Sequence, residues 1–117
     1  MFATLFQVAL GGAIGSSLRY LMVVAVGAPL ATALVNIAGS LAMGVLFVTL
    51  STRATLSPLL MTGVLGGFTT FSAFSLDALK LWENGQALHA AVYVAASVLL
   101  SLAAVALGAA LARGVLA

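Results

Sequence analysis

Four long apolar stretches, separated by short polar turns, make up almost the whole chain. They run over residues 2–26, 30–50, 58–83 and 86–112. A helix needs roughly 20 apolar residues to cross a bilayer, and each stretch reaches that length. The pattern therefore predicts an all-α integral membrane protein in which residues 1–117 form a single domain of four transmembrane helices.

The third stretch is interrupted at its middle by residues that a transmembrane helix usually avoids. Residues 66–75 read Gly-Gly-Phe-Thr-Thr-Phe-Ser-Ala-Phe-Ser. Each glycine weakens a helix by about 1 kcal/mol relative to alanine, and irregular backbone at membrane depth is tolerated only within protein or beside a polar cavity. We therefore predict two half-helices, the first ending near Gly66 or Gly67 and the second starting near Thr70.

Hydroxyl side chains recur at every fourth residue of the last stretch. Tyr93, Ser97 and Ser101 follow His89 in this register, so they stay on one side of a helix. One serine alone would bond back to the carbonyl four residues earlier, but three hydroxyls on one face favour a polar track. His89 lies at the polar end, where an interfacial position is favoured over metal binding.

Two polar residues in the first half of the chain have more than one interpretation. Asn36 shares a helix face with Ser40 and Gly44. Its structural interpretation is a hydrogen bond between helices, worth about 1 kcal/mol. Its functional interpretation is that the side chain donates to an anion or holds a broken helix. Arg19, deep in the first stretch, must snorkel, pair, or cap carbonyls of a neighbouring helix, and we expect a structural anchor.

Composition and charge exclude several classes of protein. Hydrophobic residues form 64% of the 117 residues and charged residues only 5%, against about 25% charged in soluble domains. Four basic and two acidic residues are too few to suggest nucleic-acid binding. The lack of cysteine removes disulfides and thiolate metal sites, and no nucleophile–base pair suggests an enzyme.

The basic residues are divided evenly between the two sides of the predicted bundle. Arg53 and Arg113 lie on the side of the termini, and Arg19 and Lys80 lie toward the other side. The positive-inside rule then gives no preferred orientation, which favours insertion both ways and an antiparallel homodimer. A monomer of four helices also has little interior for a pathway.

These segments resemble the Fluc (CrcB-type) fluoride channel family over essentially the whole chain. The similarity includes Gly-Gly-Ala-Ile-Gly at 11–15 with Leu-Arg-Tyr at 18–20, and Leu-Val-Asn at 34–36 with Gly-Ser at 39–40. The run 66–75 is the most specific signature. The resemblance implies a fluoride-selective channel for passive efflux, built as a dual-topology dimer with two antiparallel pores in the bacterial inner (plasma) membrane.

The resemblance also implies roles for individual residues. It implies a sodium ion at the dimer centre, held by the backbone carbonyls of Gly66 and Thr69, and a first-span arginine at Arg19. The residues that it implies along the fluoride path are Asn36, Phe71, Phe74, Tyr93, Ser97 and Ser101. The chain departs from the family at Ala73, where threonine is frequent, so a hydroxyl role at that position is not expected.

The chemistry of these residue types suits a small, strongly hydrated anion. A pore must replace the water around fluoride without binding the ion too tightly, and neutral donors meet that requirement. The neutral donors are Asn36 and the hydroxyls of Ser72, Ser75, Ser97 and Ser101. Phe71 and Phe74 add positive ring edges on one side of the second half-helix.

Two rival functions are compatible with a small four-helix membrane protein. A multidrug or cation exporter would also be a dual-topology dimer, but proton-coupled export usually needs a carboxylate within the membrane. The first stretch has none, and Asp77 and Glu83 are expected near an interface. A purely structural subunit does not explain glycines and hydroxyls at the middle of the third stretch.

Overall fold

The computed structural model describes residues 1–117, and every regular element in it is a helix. The elements are α1 (Phe2–Val26), α2 (Leu30–Thr49), a π-helical segment (Pro58–Leu65), α3 (Gly66–Phe68), α4 (Phe71–Glu83) and α5 (Ala87–Leu116). The π-helical segment, α3 and α4 together form the third span. Four helical stretches are long and apolar enough to cross a membrane, which confirms the predicted fold class.

The turns between the spans follow from local backbone chemistry. Helix α1 ends at Val26 and is capped by Gly27, whose φ of 87° lies in the left-handed region that glycine adopts without steric cost. Pro58 is the first residue of the third span, where its missing N–H leaves no hydrogen bond unmade. Helix α5 continues to Leu116, beyond the end at residue 112 that the apolar pattern predicts.

The third span breaks at Thr69 and Thr70 rather than at the glycine pair. Thr69 (φ −83°, ψ 157°) and Thr70 (φ −153°, ψ 123°) are both extended, whereas Gly66 and Gly67 remain helical. The first half-helix therefore ends slightly later than predicted, at Phe68, whereas the second begins at Phe71 after the Thr70 cap, close to the predicted start near Thr70. Gly67 serves packing instead, because a Cβ there would lie 2.7 Å from the carbonyl oxygen of Gly12.

Close backbone contact joins α1 to the first half of the third span. A Cβ at Gly11 would overlap the carbonyl oxygen of Leu59, and a Cβ at Gly15 would overlap that of Val64. Small residues at this spacing let two helices approach without intervening side chains. The Gly-xxx-Gly pair thereby sets the position of the broken span relative to α1.

The second close pair consists of α2 and α5, which pack along much of their length. Gly44 contacts the backbone of Val105, and Gly108 contacts the backbone of Leu41, with no room for a Cβ at either glycine. Only 19 of the 117 residues are buried, so large apolar side chains cover the outside. Such a surface is compatible with lipid as the surrounding solvent.

We predict that replacing Gly15 by alanine will destabilise the fold. The added methyl group would meet the backbone carbonyl of Val64, and overpacking of this kind costs about 1–3 kcal/mol. Gly12→Ala is the matched control, because a Cβ at Gly12 has no neighbour within 4 Å. Thermal unfolding in detergent should separate the two variants, and equal stability would contradict the packing account.

Candidate functional site

A single carboxamide side chain holds the extended backbone at the break. Asn36 Nδ2 donates to the carbonyl oxygen of Thr70 at 3.0 Å, and Asn36 Oδ1 accepts from the N–H of Thr70 at 2.8 Å. A carboxamide has a donor and an acceptor side by side, so it can satisfy both backbone groups of one extended residue. Asn36 therefore ties α2 to the break in the third span.

Thr70 begins the second half of the third span by capping it. Its side-chain oxygen accepts a hydrogen bond from the N–H of Ala73 at 3.1 Å. Threonine in extended conformation is a favoured N-cap residue, because its oxygen satisfies an N–H that the first helical turn leaves unpaired. Helix α4 consequently begins at Phe71.

These two side chains redirect two backbone donors away from their usual acceptors. In a continuous α-helix, the N–H of Thr70 would bond the carbonyl of Gly66, and the N–H of Ala73 would bond that of Thr69. Here the first N–H donates to Asn36 and the second to the Thr70 side chain. The carbonyl oxygens of Gly66 and Thr69 are thus left without their helical partners.

A third carbonyl at the break is occupied by Arg19. Its Nε donates to the carbonyl oxygen of Gly67 at 3.1 Å. This contact places a cationic side chain of α1 on the last turn before the break, where it compensates the exposed carbonyl end of a helix. Gly67 is therefore chemically distinct from Gly66 and Thr69, because its carbonyl already has a charged donor.

A groove of about 390 Å³ lies beside the break, between α2, α4 and α5. All of its lining residues are uncharged. The lining includes six residues that were predicted from the sequence as site residues: Asn36, Thr69, Phe71, Phe74, Ser97 and Ser101. The structure adds Ser40 and Thr70 to them, and the four-residue spacing from Asn36 is the signal that identifies Ser40.

Two serines of α5 line this groove, and neither hydroxyl has a hydrogen-bond partner. Ser97 Oγ and Ser101 Oγ are buried and make no hydrogen bond. A buried polar group without a partner costs about 1–3 kcal/mol, so each of these hydroxyls retains an unused capacity to donate a hydrogen bond. They do not make the bond to the carbonyl four residues earlier that a solitary serine in a helix often makes.

The phenyl rings of Phe71 and Phe74 contact each other in the lining of the same groove. Their centroids are 5.5 Å apart and their planes are tilted by 58°. Phe74 is buried, whereas Phe71 is 77% exposed. The exposed ring of Phe71 needs cover from lipid or from another protein surface, because α1 to α5 of one chain leave it open.

Tyr93 does not line the groove with the two serines. Its hydroxyl donates to Asp77 Oδ2 at 3.3 Å, and its ring packs on Phe74 with centroids 5.3 Å apart. Asp77 is buried within the chain. Tyr93 and Asp77 instead join α5 to α4 behind the Phe74 ring.

The structure also places two predicted hydroxyl donors outside the groove lining. Ser72 and Ser75 are exposed. Ser75 Oγ donates to the carbonyl of Phe71 at 2.9 Å, and Ser72 Oγ lies 3.3 Å from Thr70 Oγ1. Their hydroxyls are thus used in local bonds within α4 and its cap.

The fold and the groove define a small helical membrane protein with a polar site at a broken span. The family model for CrcB-like protein, Camphor Resistance (CrcB), matches residues 6–109. This chain belongs to the CrcB family. It is a multi-pass membrane protein with four helices able to span the bilayer.

Curated relatives match the sequence of this chain over nearly their full length. A relative from Paracoccus denitrificans is 53% identical, covering 97% of this chain and 98% of its own. One from Cereibacter sphaeroides is 54% identical with the same coverage, and one from Ruegeria is 52% identical over 99% of each chain. All three are named fluoride-specific ion channel FluC.

We predict that Ser97→Ala and Ser101→Ala will preserve or raise stability while impairing ion passage. Each substitution removes a buried hydroxyl that has no partner, so the free energy of unfolding should not fall by more than about 0.5 kcal/mol. Ser17→Ala on α1 is the control, because that hydroxyl bonds the carbonyl of Ala13 on the exposed surface. The unfolding temperature and the ion flux from liposomes would be measured on the same preparations. Normal ion flux in both serine variants would contradict a role of these hydroxyls in ion passage.

Proposed function

We propose that this chain is the subunit of a fluoride-selective channel that releases fluoride passively and lowers its cytoplasmic concentration. The observation that carries the proposal is the uncharged groove with two unpaired hydroxyls, Ser97 and Ser101, beside a broken span. Relatives about half identical over nearly the full length are named fluoride-specific ion channels. A channel of this kind performs no covalent chemistry and is not an enzyme.

Neutral donors in the groove replace the water of hydration around fluoride. Ser97 and Ser101 supply two hydroxyls, and Asn36 supplies the Nδ2 hydrogen that does not bond Thr70. Because the lining carries no formal charge, the anion is bound weakly enough to leave again, as conduction requires. A ring of lysine or arginine would hold fluoride more strongly and slow its exit.

The phenyl rings of Phe71 and Phe74 add to this environment in the groove lining. An aromatic ring is negative on its face and positive on its edge, so an anion is attracted to the edge. Phe71 and Phe74 both line the groove, where their ring edges can meet the anion. A desolvated ion passing from the hydroxyls to the rings therefore remains in contact with positive partial charge.

The functional unit in this proposal is an antiparallel homodimer in the bacterial inner membrane. The groove is open along one side, and Phe71 is largely uncovered, so one chain alone does not enclose a pathway. The even division of the basic residues Arg19, Lys80, Arg53 and Arg113 between the two sides gives no orientation bias. Chains inserted in both directions are then available to pair.

The break also fits a structural sodium ion, which we include in the proposal. Carbonyl oxygens released from a broken membrane helix are the ligands that suit Na⁺, and the carbonyls of Gly66 and Thr69 have lost their helical donors to Asn36 and Thr70. The ion would supply a fixed positive charge near the groove. Gly66 is exposed on the surface of the chain, where a second chain can add ligands.

One observation favours a small multidrug or cation exporter as the second candidate. Asp77 is a buried carboxylate, and proton-coupled exporters use such groups within the membrane. Asp77 accepts a hydrogen bond from Tyr93 and lies outside the lining of the main groove. A carboxylate on the transport path should face the groove, so the channel is the better-supported function.

We predict that the purified protein will release fluoride from liposomes down a fluoride gradient, and chloride far more slowly. A fluoride electrode would record the release after the counter-charge is dissipated with valinomycin. Folded protein that releases no fluoride, or releases fluoride only when a proton gradient is imposed, would overturn the proposal. Phe71→Ala should slow release, whereas Phe47→Ala, at an exposed position of α2, should not.

The dual topology predicts a distinct labelling pattern. The chain has no cysteine, so Ser51→Cys introduces a unique thiol in the exposed loop after α2. An impermeant maleimide added to intact cells should label about half of these thiols, and permeabilisation should expose the rest. Labelling of all or none of the protein in intact cells would contradict insertion in both directions.

A further inference from the structure

We infer that Asn36 and Thr70 are positioning residues that determine the affinity of the break for a cation without touching the cation themselves. The inference rests on the sodium site in the proposed function and concerns which side chains create that site. Each residue captures one backbone N–H that would otherwise close a helical turn. The two carbonyls that lose these donors, Gly66 and Thr69, are the two assigned to sodium.

The break is not maintained by the glycines, so another feature must prevent the helix from closing. Gly66 and Gly67 are helical, and the backbone becomes extended only at Thr69 and Thr70. At this point the N–H groups of Thr70 and Ala73 donate to side chains instead of to helical carbonyls. The acceptors are Asn36 for Thr70 and the Thr70 hydroxyl for Ala73. The open state of the two carbonyls therefore depends on two side-chain acceptors.

Loss of either acceptor would convert one carbonyl from a cation ligand into a helix acceptor. Without the Thr70 hydroxyl, the N–H of Ala73 has no side-chain partner, and its nearest helical acceptor is the carbonyl of Thr69. Without the Asn36 carboxamide, the N–H of Thr70 turns to Gly66 in the same way. Since a buried N–H rarely stays unpaired, closure of the turn competes directly with cation binding.

Asn36 occupies a special position because it belongs to both the break and the groove. Its carboxamide bonds both backbone groups of Thr70 and also lines the groove with Ser97. Close packing supports this arrangement, since a Cβ at Gly39 would overlap the methyl group of Thr69. Helix α2 can thus approach the break closely enough for the carboxamide to reach it.

Threonine at position 70 permits a sharp test through a pair of conservative substitutions. Thr70→Ser keeps the hydroxyl cap, whereas Thr70→Val keeps the shape and removes the hydroxyl. The unfolding temperature of each purified variant would be followed as sodium chloride replaces N-methylglucamine chloride at constant ionic strength. We expect Thr70→Val to require roughly tenfold more sodium, or a still higher concentration, for the same stabilisation, and Thr70→Ser to stay within about threefold of the unmodified protein.

Two further variants complete the design. Thr62→Val makes the same chemical change at an exposed position of the π-helical segment, so its sodium midpoint should not move. Asn36→Leu removes the other acceptor and should raise the sodium midpoint as Thr70→Val does. If Thr70→Val does not fold, the sodium midpoint of Asn36→Leu tests the inference. Equal midpoints for Thr70→Ser and Thr70→Val, or no sodium effect on the unmodified protein, would overturn the inference.

The same preparation separates this inference from the proposed channel function. Fluoride release from liposomes reports on the groove, whereas sodium-dependent unfolding reports on the break and needs no transport. Protein that is stabilised by sodium in the predicted order but releases no fluoride would overturn the channel and retain the inference. Protein that releases fluoride but is not stabilised by sodium would overturn the inference and retain the channel.

Discussion

The structure depends on how the backbone polar groups of the broken third span are satisfied. Inside a bilayer no water is present to pair an N–H or a carbonyl, so each broken turn needs protein partners. Asn36 bonds both backbone groups of Thr70, the Thr70 side chain bonds Ala73, and Arg19 bonds Gly67. Residues from α1 and α2 thus support the break from two directions, and the carbonyls of Gly66 and Thr69 are left for other ligands.

Close packing through glycine places those partners where they are needed. Gly11 and Gly15 allow α1 to pack directly against the first half of the third span. Gly44 and Gly108 allow the same close packing between α2 and α5. The first contact brings Arg19 to the break, and the second places the serines of α5 opposite Asn36. The groove therefore lies between the α2–α5 pair and the break with the start of α4, and its polar lining comes from residues far apart in the chain.

Sequence periodicity accounts for part of the groove lining, and the structure places three other predicted pathway residues outside that lining. Side chains four apart in a helix rotate by about 40° at each step, so the stripe on α5 divides. Ser97 and Ser101 line the groove, whereas Tyr93 turns toward Asp77 on α4. Ser72 and Ser75 share the hydroxyl chemistry of the groove residues, but local bonds at the start of α4 use their oxygens, and spacing does not reveal such bonds.

The sequence alone determined that four apolar helices build the chain and that the third is interrupted, because length, hydropathy and helix propensity are local properties. It also singled out Asn36, Phe71, Phe74, Ser97 and Ser101, which the structure brings to one groove. The sequence also predicted the start of the second half-helix near Thr70, but only the tertiary structure decided that the first half continues through both glycines to Phe68 and that Asn36, 34 residues before Thr70, holds the break. Pairing over that separation depends on helix packing, which no local pattern records.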